Sequence, residues 1–186
     1  MQLNMFEEDR AVVRYAILIS PPAAVKKVVA GFKQQVHEAV GLDDMNLRSL
    51  AHISLCRVNA ADDDAFIIKT VTEAVANMCC FDIEINGADS FTHGKTGTLY
   101  LRIERPEPVQ ILFALLSRVF RGSRNASITP HLTIARALPV HKFRQIDPSV
   151  FDYRYAFVCD RITILKWAGE KYTLIHEVPL KNHPPA

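Results

Sequence analysis

Two stretches of this chain read almost alike. Ala51-His52-Ile53-Ser54-Leu55-Cys56-Arg57 is matched by Pro130-His131-Leu132-Thr133-Ile134-Ala135-Arg136. Each carries a histidine, an apolar residue and a hydroxyl residue in succession, with an arginine five places after the histidine. Each alternates as a strand does, and each follows a segment with helical spacing. A repeat in matching context points to a duplicated half-fold, with two equivalent strands related by a pseudo-twofold axis.

The remaining segments supply elements of both kinds. Residues 11–19 read as a buried strand rich in branched apolar residues. Pro21-Pro22 ends it and suits a helix start. Val25, Val28, Val29, Phe32 and Val36 then recur at helical spacing, with Lys26, Lys27, Lys33 and Gln34 on other faces and Gly41 as the stop. Residues 42–49 read as a loop. Asp62, Asp63 and Asp64 open a second helix, because acidic groups favour the positive helix end. Phe81, Ile83 and Ile85 alternate with polar residues as a half-exposed strand, followed by a loop with Gly94 and Gly97 and a strand over 98–104. Pro106 and Pro108 open a third helix to about Phe120, with Ile111, Leu115 and Val119 on one stripe and Gly122 closing it. Strands over 131–138, 155–166 and 172–180 complete the order, the last two joined by a turn around Gly169. Three helices are too few for a doubly wound sheet, and the hairpins favour antiparallel pairing. The expected class is α+β, with residues 1–186 forming one domain.

Composition narrows the function classes. Hydrophobic residues make up 49% and charged residues 23%, ordinary globular usage rather than disorder. A net charge of +2 does not describe a nucleic-acid coat, though it permits a local basic cleft. No apolar run approaches the roughly 20 residues that span a bilayer, and the opening MQLNMFEEDR lacks the form of a secretory signal. A cytoplasmic protein without a membrane partner is expected. Cys56, Cys79, Cys80 and Cys159 match no zinc or redox spacing and read as buried thiols. The sequence sets no oligomeric state.

Side chains at i and i+2 share one face of a strand, so His52 and Ser54 point together, roughly 7 Å apart along the chain. His131 and Thr133 do the same. If the two strands meet across a pseudo-twofold axis, two imidazoles and two hydroxyls converge. That set suits in-line attack at phosphorus. A neutral imidazole takes a proton from the nucleophile, and a protonated one gives a proton to the departing oxygen. The hydroxyls donate to the non-bridging phosphate oxygens. Proton transfer and hydrogen bonding cover both ends of the displacement, so no metal or other cofactor is required.

The paired triplets resemble the signature of the 2H phosphoesterases, in particular the group with the bacterial 2′-5′ RNA ligases and RNA cyclic phosphodiesterases. In that family each His-x-Ser/Thr motif is followed by an apolar residue, a place filled here by Leu55 and Ile134. The likeness extends to Arg14-Tyr15-Ala16-Ile17 with Pro21-Pro22, to Phe91 and the glycines after it, to Leu99-Tyr100-Leu101, and to Ile162-Thr163-Ile164-Leu165 with Tyr172-Thr173-Leu174. It implies a bilobal fold, two intertwined lobes whose antiparallel sheets line a central cleft with helices outside. It also implies hydrolysis of 2′,3′-cyclic phosphates on RNA termini or cyclic nucleotides, with 2′-5′ joining as a related activity. His52 and His131 would be the catalytic pair, His131 as base toward water and His52 as acid, with Ser54, Thr133 and Arg136 binding substrate. Two departures stand out. Ser54 occupies a place where Thr is commoner. Cys56-Arg57-Val58 replaces the Lys-Phe-Leu-Gly-like run of the ligase branch, which weighs toward hydrolysis.

Other residues carry weaker signals. Strict alternation turns Arg136 and Arg57 away from the histidine face, so reaching the cleft needs a bulge. Arg118, Arg121 and Arg124 suit a solvated helix end. Among Phe91, Tyr100, Trp167 and Tyr172, one aromatic is expected to stack on a base. His37, His93, His141, His176 and His183 show no ligand spacing and read as surface or loop residues. Specificity is assigned to loops 42–50, 87–97 and 139–150. Two rival functions remain: a nucleotide- or RNA-binding module without turnover, and a two-histidine metal site, for which neither triplet supplies a third ligand.

Overall fold

A computed structural model describes residues 11–121 and 127–182. Gly122, Arg124, His183 and the first ten residues lie outside that range. Strand β1 (Val12–Ile19) is followed by helices α1 (Ala23–Val40) and α2 (Asp44–Arg48), strand β2 (Ile53–Ala61) and helix α3 (Asp64–Val75). Then come β3 (Phe81–His93), β4 (Thr96–Ile103), α4 (Glu107–Arg121), β5 (His131–Pro139) and α5 (Val140–Phe143). A 3-10 turn (Pro148–Phe151) leads to β6 (Arg154–Cys159), β7 (Arg161–Trp167) and β8 (Tyr172–Pro179).

The strands form two four-stranded antiparallel sheets in the orders β2-β1-β7-β8 and β5-β4-β3-β6. The α+β architecture with two antiparallel sheets follows the expectation. Both repeated strands, β2 and β5, are edge strands, and each pairs on one side only. An edge strand leaves a flank open to what faces it. Here β2 and β5 approach each other, so the open flanks look onto shared space.

Apolar residues from both sheets and from α1, α3 and α4 merge into one cluster that includes Ile17, Val29, Ile53, Val71, Leu101, Leu112 and Ile134. Helix α1 ends at Gly41, whose φ of 73° is left-handed and whose N–H donates to the His37 carbonyl at 2.8 Å. Asp63 caps α3 by accepting from the Phe66 N–H at 2.9 Å.

Several elements differ from the sequence reading. Residues 44–48, read as loop, form α2, capped by Asp43, which accepts from the Asn46 N–H at 2.7 Å. Residues 87–93, also read as loop, continue β3 past a bulge at Gly87, whose φ of 70° is left-handed. The polar run through Asp89 and Ser90 hides a strand that pairs with β4 through the main chain. The stretch 155–166 is two strands in different sheets, because the chain crosses between sheets at Asp160 while the alternation runs on. The region 139–150 holds α5, whose Phe143 ring lies against Gly97; a Cβ there would meet the ring at 2.3 Å.

On α4 the stripe Ile111, Leu115 and Val119 does not face the core. Val109, Leu112, Phe113 and Leu116 are buried, while Ile111 is 52% and Val119 48% exposed. The helix has two apolar stripes, and the bulkier one packs on α3 and β2. Lys33, placed by its spacing off the apolar stripe of α1, is 2% exposed.

Candidate active site

The repeat extends to the irregularities of its strands. In the β1–β2 ladder Leu18 pairs with Ser54 and Ile17 with Cys56, leaving Leu55 as an extra residue. In the β4–β5 ladder Tyr100 pairs with Thr133 and Leu99 with Ala135, leaving Ile134 extra. Each bulge therefore falls on the apolar residue after the hydroxyl. Burial records the consequence: Leu55-Cys56 and Ile134-Ala135 are both buried in succession, and Arg57 and Arg136 are exposed. A one-residue bulge reverses the phase of the strand beyond it. It brings each arginine onto the face of its histidine, against the parity expected from strict alternation.

The two triplets meet. His52, Ser54, His131 and Thr133 line one cleft of about 120 Å³, closed on one side by Ile128, Thr129 and Pro130. Gln110 of α4 holds that wall by donating to the Ile128 carbonyl at 3.1 Å. The imidazoles are fixed in the same way. His52 Nδ1 lies 2.8 Å from the Leu50 carbonyl oxygen, and His131 Nδ1 lies 2.7 Å from that of Thr129. A carbonyl only accepts, so each Nδ1 carries a proton, and each Nε2 is the atom left to exchange one.

The profile of the 2′-5′ RNA ligase superfamily matches residues 21–171, more than half of the chain. The chain belongs to the 2′-5′ RNA ligase superfamily. The resemblance drawn from the two triplets names the same group. Among solved structures, Escherichia coli LigT in apo form superposes with a TM-score of 0.61 at 17% identity, covering 91% of this chain and 98% of that one. The Thermus thermophilus protein TT0787 superposes at 0.62 with 12% identity, covering 92% and 100%. A protein described as a phosphoesterase gives 0.62 at 17% identity, covering 92% and 99%. At such identities the likeness concerns the fold. No curated protein matches the chain by sequence.

Charge is distributed unevenly within this superfamily cleft. Burial lowers the pKa of His52 most, the Leu50 carbonyl opposes that by favouring the protonated ring, and the cations Arg57, Lys33 and Arg136 lower it further. The net effect favours the neutral ring. Beside His131 stand two aromatic rings: Tyr100 at 5.0 Å and Phe91 at 6.1 Å between centroids. Phe91 is 43% exposed, whereas Tyr100 is buried. Trp167 and Tyr172 pack on each other at 5.1 Å at the end of the β7–β8 hairpin and do not line the cleft.

Other sequence candidates fall elsewhere. Arg121 donates to the Arg57 carbonyl at 3.3 Å, tying α4 to β2. Arg118 borders a depression of about 460 Å³ on the outer face of α4, with Ile111, Ala114 and Leu115. His37, His93, His141 and His176 do not line the cleft. Among the described residues no three His, Cys, Asp or Glu side chains gather as a metal site would require.

Sequence reasoning missed Lys33 and Asn46. Asn46 of α2 donates its side-chain amide to the Arg136 carbonyl at 3.1 Å and accepts from the Arg136 N–H at 2.9 Å. It thereby occupies both main-chain groups of the residue carried to the cleft face. No periodicity marks a polar residue in a five-residue helix, so the sequence offered no signal for it.

Proposed function

We propose that the protein hydrolyses 2′,3′-cyclic phosphates at RNA termini or on nucleotides by acid–base catalysis between His52 and His131. The observation that carries this reading is the cleft lined by both His and hydroxyl pairs. Superfamily membership supports it, as do the nucleotides bound by the similar LigT, which has been crystallised with 3′-AMP, with NADP+ and with ATP.

In this mechanism the neutral ring of His52 takes a proton from water through Nε2 as the water oxygen bonds to phosphorus. The bond from phosphorus to the 2′ or 3′ oxygen breaks. His131, protonated, gives its Nε2 proton to that oxygen, and the pair exchanges protons with solvent before the next turnover. Ser54 and Thr133 donate to the non-bridging oxygens, and Arg136 offsets their charge. The cationic, desolvated surroundings of His52 favour it as base, the reverse of the direction drawn by analogy.

The test offers a nucleoside 2′,3′-cyclic phosphate with excess chelator. Turnover that disappears in His52→Ala and His131→Ala supports the reading. Binding without turnover favours a binding module, and turnover abolished by the chelator favours a metal mechanism.

A further inference from the structure

Lys33 presents a physical problem. It lies on α1, is 2% exposed, and places its ammonium 2.8 Å from the Asn46 carbonyl and 2.6 Å from the Ser49 hydroxyl. Both acceptors are neutral. An ammonium removed from water without a contacting carboxylate is destabilising, and a methionine of similar volume would fill the same space without that cost. Desolvation does register: Lys33 is pushed down to about 8, burial first and the Arg136 charge second, with Asp43 opposing them.

The contacts of Lys33 lead to the site. Its acceptor Asn46 holds both main-chain groups of Arg136 and is itself held by Asp43 through the backbone N–H at 2.7 Å and the side-chain amide at 2.8 Å. The next residue, Ala137, has a left-handed φ of 55°, an uncommon conformation for alanine that needs such outside support. The Arg136 guanidinium also reaches the Met45 sulfur at 3.3 Å, so α2 grips this arginine from two sides.

We propose that Lys33, although it does not line the cleft, is a positioning residue of the site: its ammonium adds to the positive charges acting on His52 and, through Asn46, holds Arg136 on the cleft face. This rests on the phosphodiesterase reading for its catalytic consequence, but not for its electrostatic one. The charged groups acting on His52 are Arg57 from β2, Lys33 from α1 and Arg136 from β5, with the Leu50 carbonyl on its Nδ1. The charged groups acting on Lys33 are Asp43 and Arg136. Near neutral pH all three cations act on His52 with one sign.

The test follows the His52 imidazole by NMR across pH in the full chain and in Lys33→Gln, which keeps a donor for the Asn46 carbonyl but loses the charge. The expected result is an upward move of the His52 midpoint. An unchanged midpoint in the folded variant overturns the proposal. Lys33→Met repeats the measurement where Lys33→Gln fails to fold. The second arm measures KM for a cyclic phosphate in Asn46→Ala, Arg136→Gln and the double variant. A double variant no worse than Arg136→Gln supports positioning through Asn46, and independent, multiplying losses overturn it. Should no cyclic phosphate turn over, the functional reading fails, while the NMR midpoint still judges the role of Lys33.

Discussion

The Phe91 ring stands edge-on to the His131 imidazole, with centroids 6.1 Å apart and planes at 79°. Its contact with the ring of His131 and its exposure set it apart from buried Tyr100 and from Trp167 and Tyr172, which pack on each other away from the cleft. Stacking on an aromatic side chain contributes about 1–3 kcal/mol per base. Phe91→Ala should therefore raise KM for a nucleoside cyclic phosphate on the order of tenfold and leave kcat nearly unchanged. A base-free ribose cyclic phosphate should react equally well with both proteins. Equal losses on both substrates would assign Phe91 to the support of His131 instead.

The two histidines should separate when the leaving group is changed. A p-nitrophenolate departs without a proton, so it bypasses the general acid. On a p-nitrophenyl phosphodiester, His131→Ala should retain most of the rate, while His52→Ala should lose on the order of 10²-fold or more. On a cyclic phosphate both variants should be nearly inactive. The opposite ranking on the nitrophenyl ester would restore the direction drawn by analogy.

The rate should depend on pH with a predictable sign. His52 acts as base only when neutral, and its pKa is lowered, first by burial. The acidic limb of kcat/KM should therefore lie below the usual imidazole value of about 6.5. Bound phosphate adds negative charge beside the ring, so the same limb in kcat should move upward. A profile flat across the acidic range, with chemistry limiting the rate, would leave His52 without a role as base.

Lys33 should contribute a rise of stability with pH on the alkaline side. The pKa of Lys33 is depressed to about 8 in the fold, so between there and its unfolded value near 10.4 the unfolded chain binds more protons. Two groups oppose it: burial pushes the Cys159 thiol up to about 12, and burial with the Asp64 side chain pushes the Tyr15 hydroxyl up to about 12, so each keeps in the fold a proton that the unfolded chain loses above about 8.5 and about 10. Urea unfolding across pH 8 to 10 should show Lys33→Gln losing stability with rising pH more steeply than the wild type.

The legible part of this molecule was local. Val25, Val29 and Val36 marked the buried face of α1, and Pro22 and Gly41 marked its ends, because a helix writes its period and termini into neighbouring residues. The paired triplets marked a duplicated strand for the same reason. Where two local patterns competed, as on α4, only packing selected Leu112 and Leu116 over Ile111 and Val119. Where polar residues formed a main-chain ladder, as over 88–93 of the β3–β4 hairpin, the pairing needed no apolar alternation and so left none to read.

His52 and His131, with their hydroxyl partners, were set by the sequence, since i and i+2 on a strand share a face whatever surrounds them. The arrangement around them was decided by tertiary structure alone. The bulges at Leu55 and Ile134 exist only in the pairing with β1 and β4, and they turn Arg57 and Arg136 toward the histidine face. Asn46 reaches Arg136 across 90 positions of chain, a contact that only the packing of α2 against β5 creates. Alternation is a property of one strand, whereas a bulge and a long-range hydrogen bond belong to two segments at once, so neither appears in either segment read by itself.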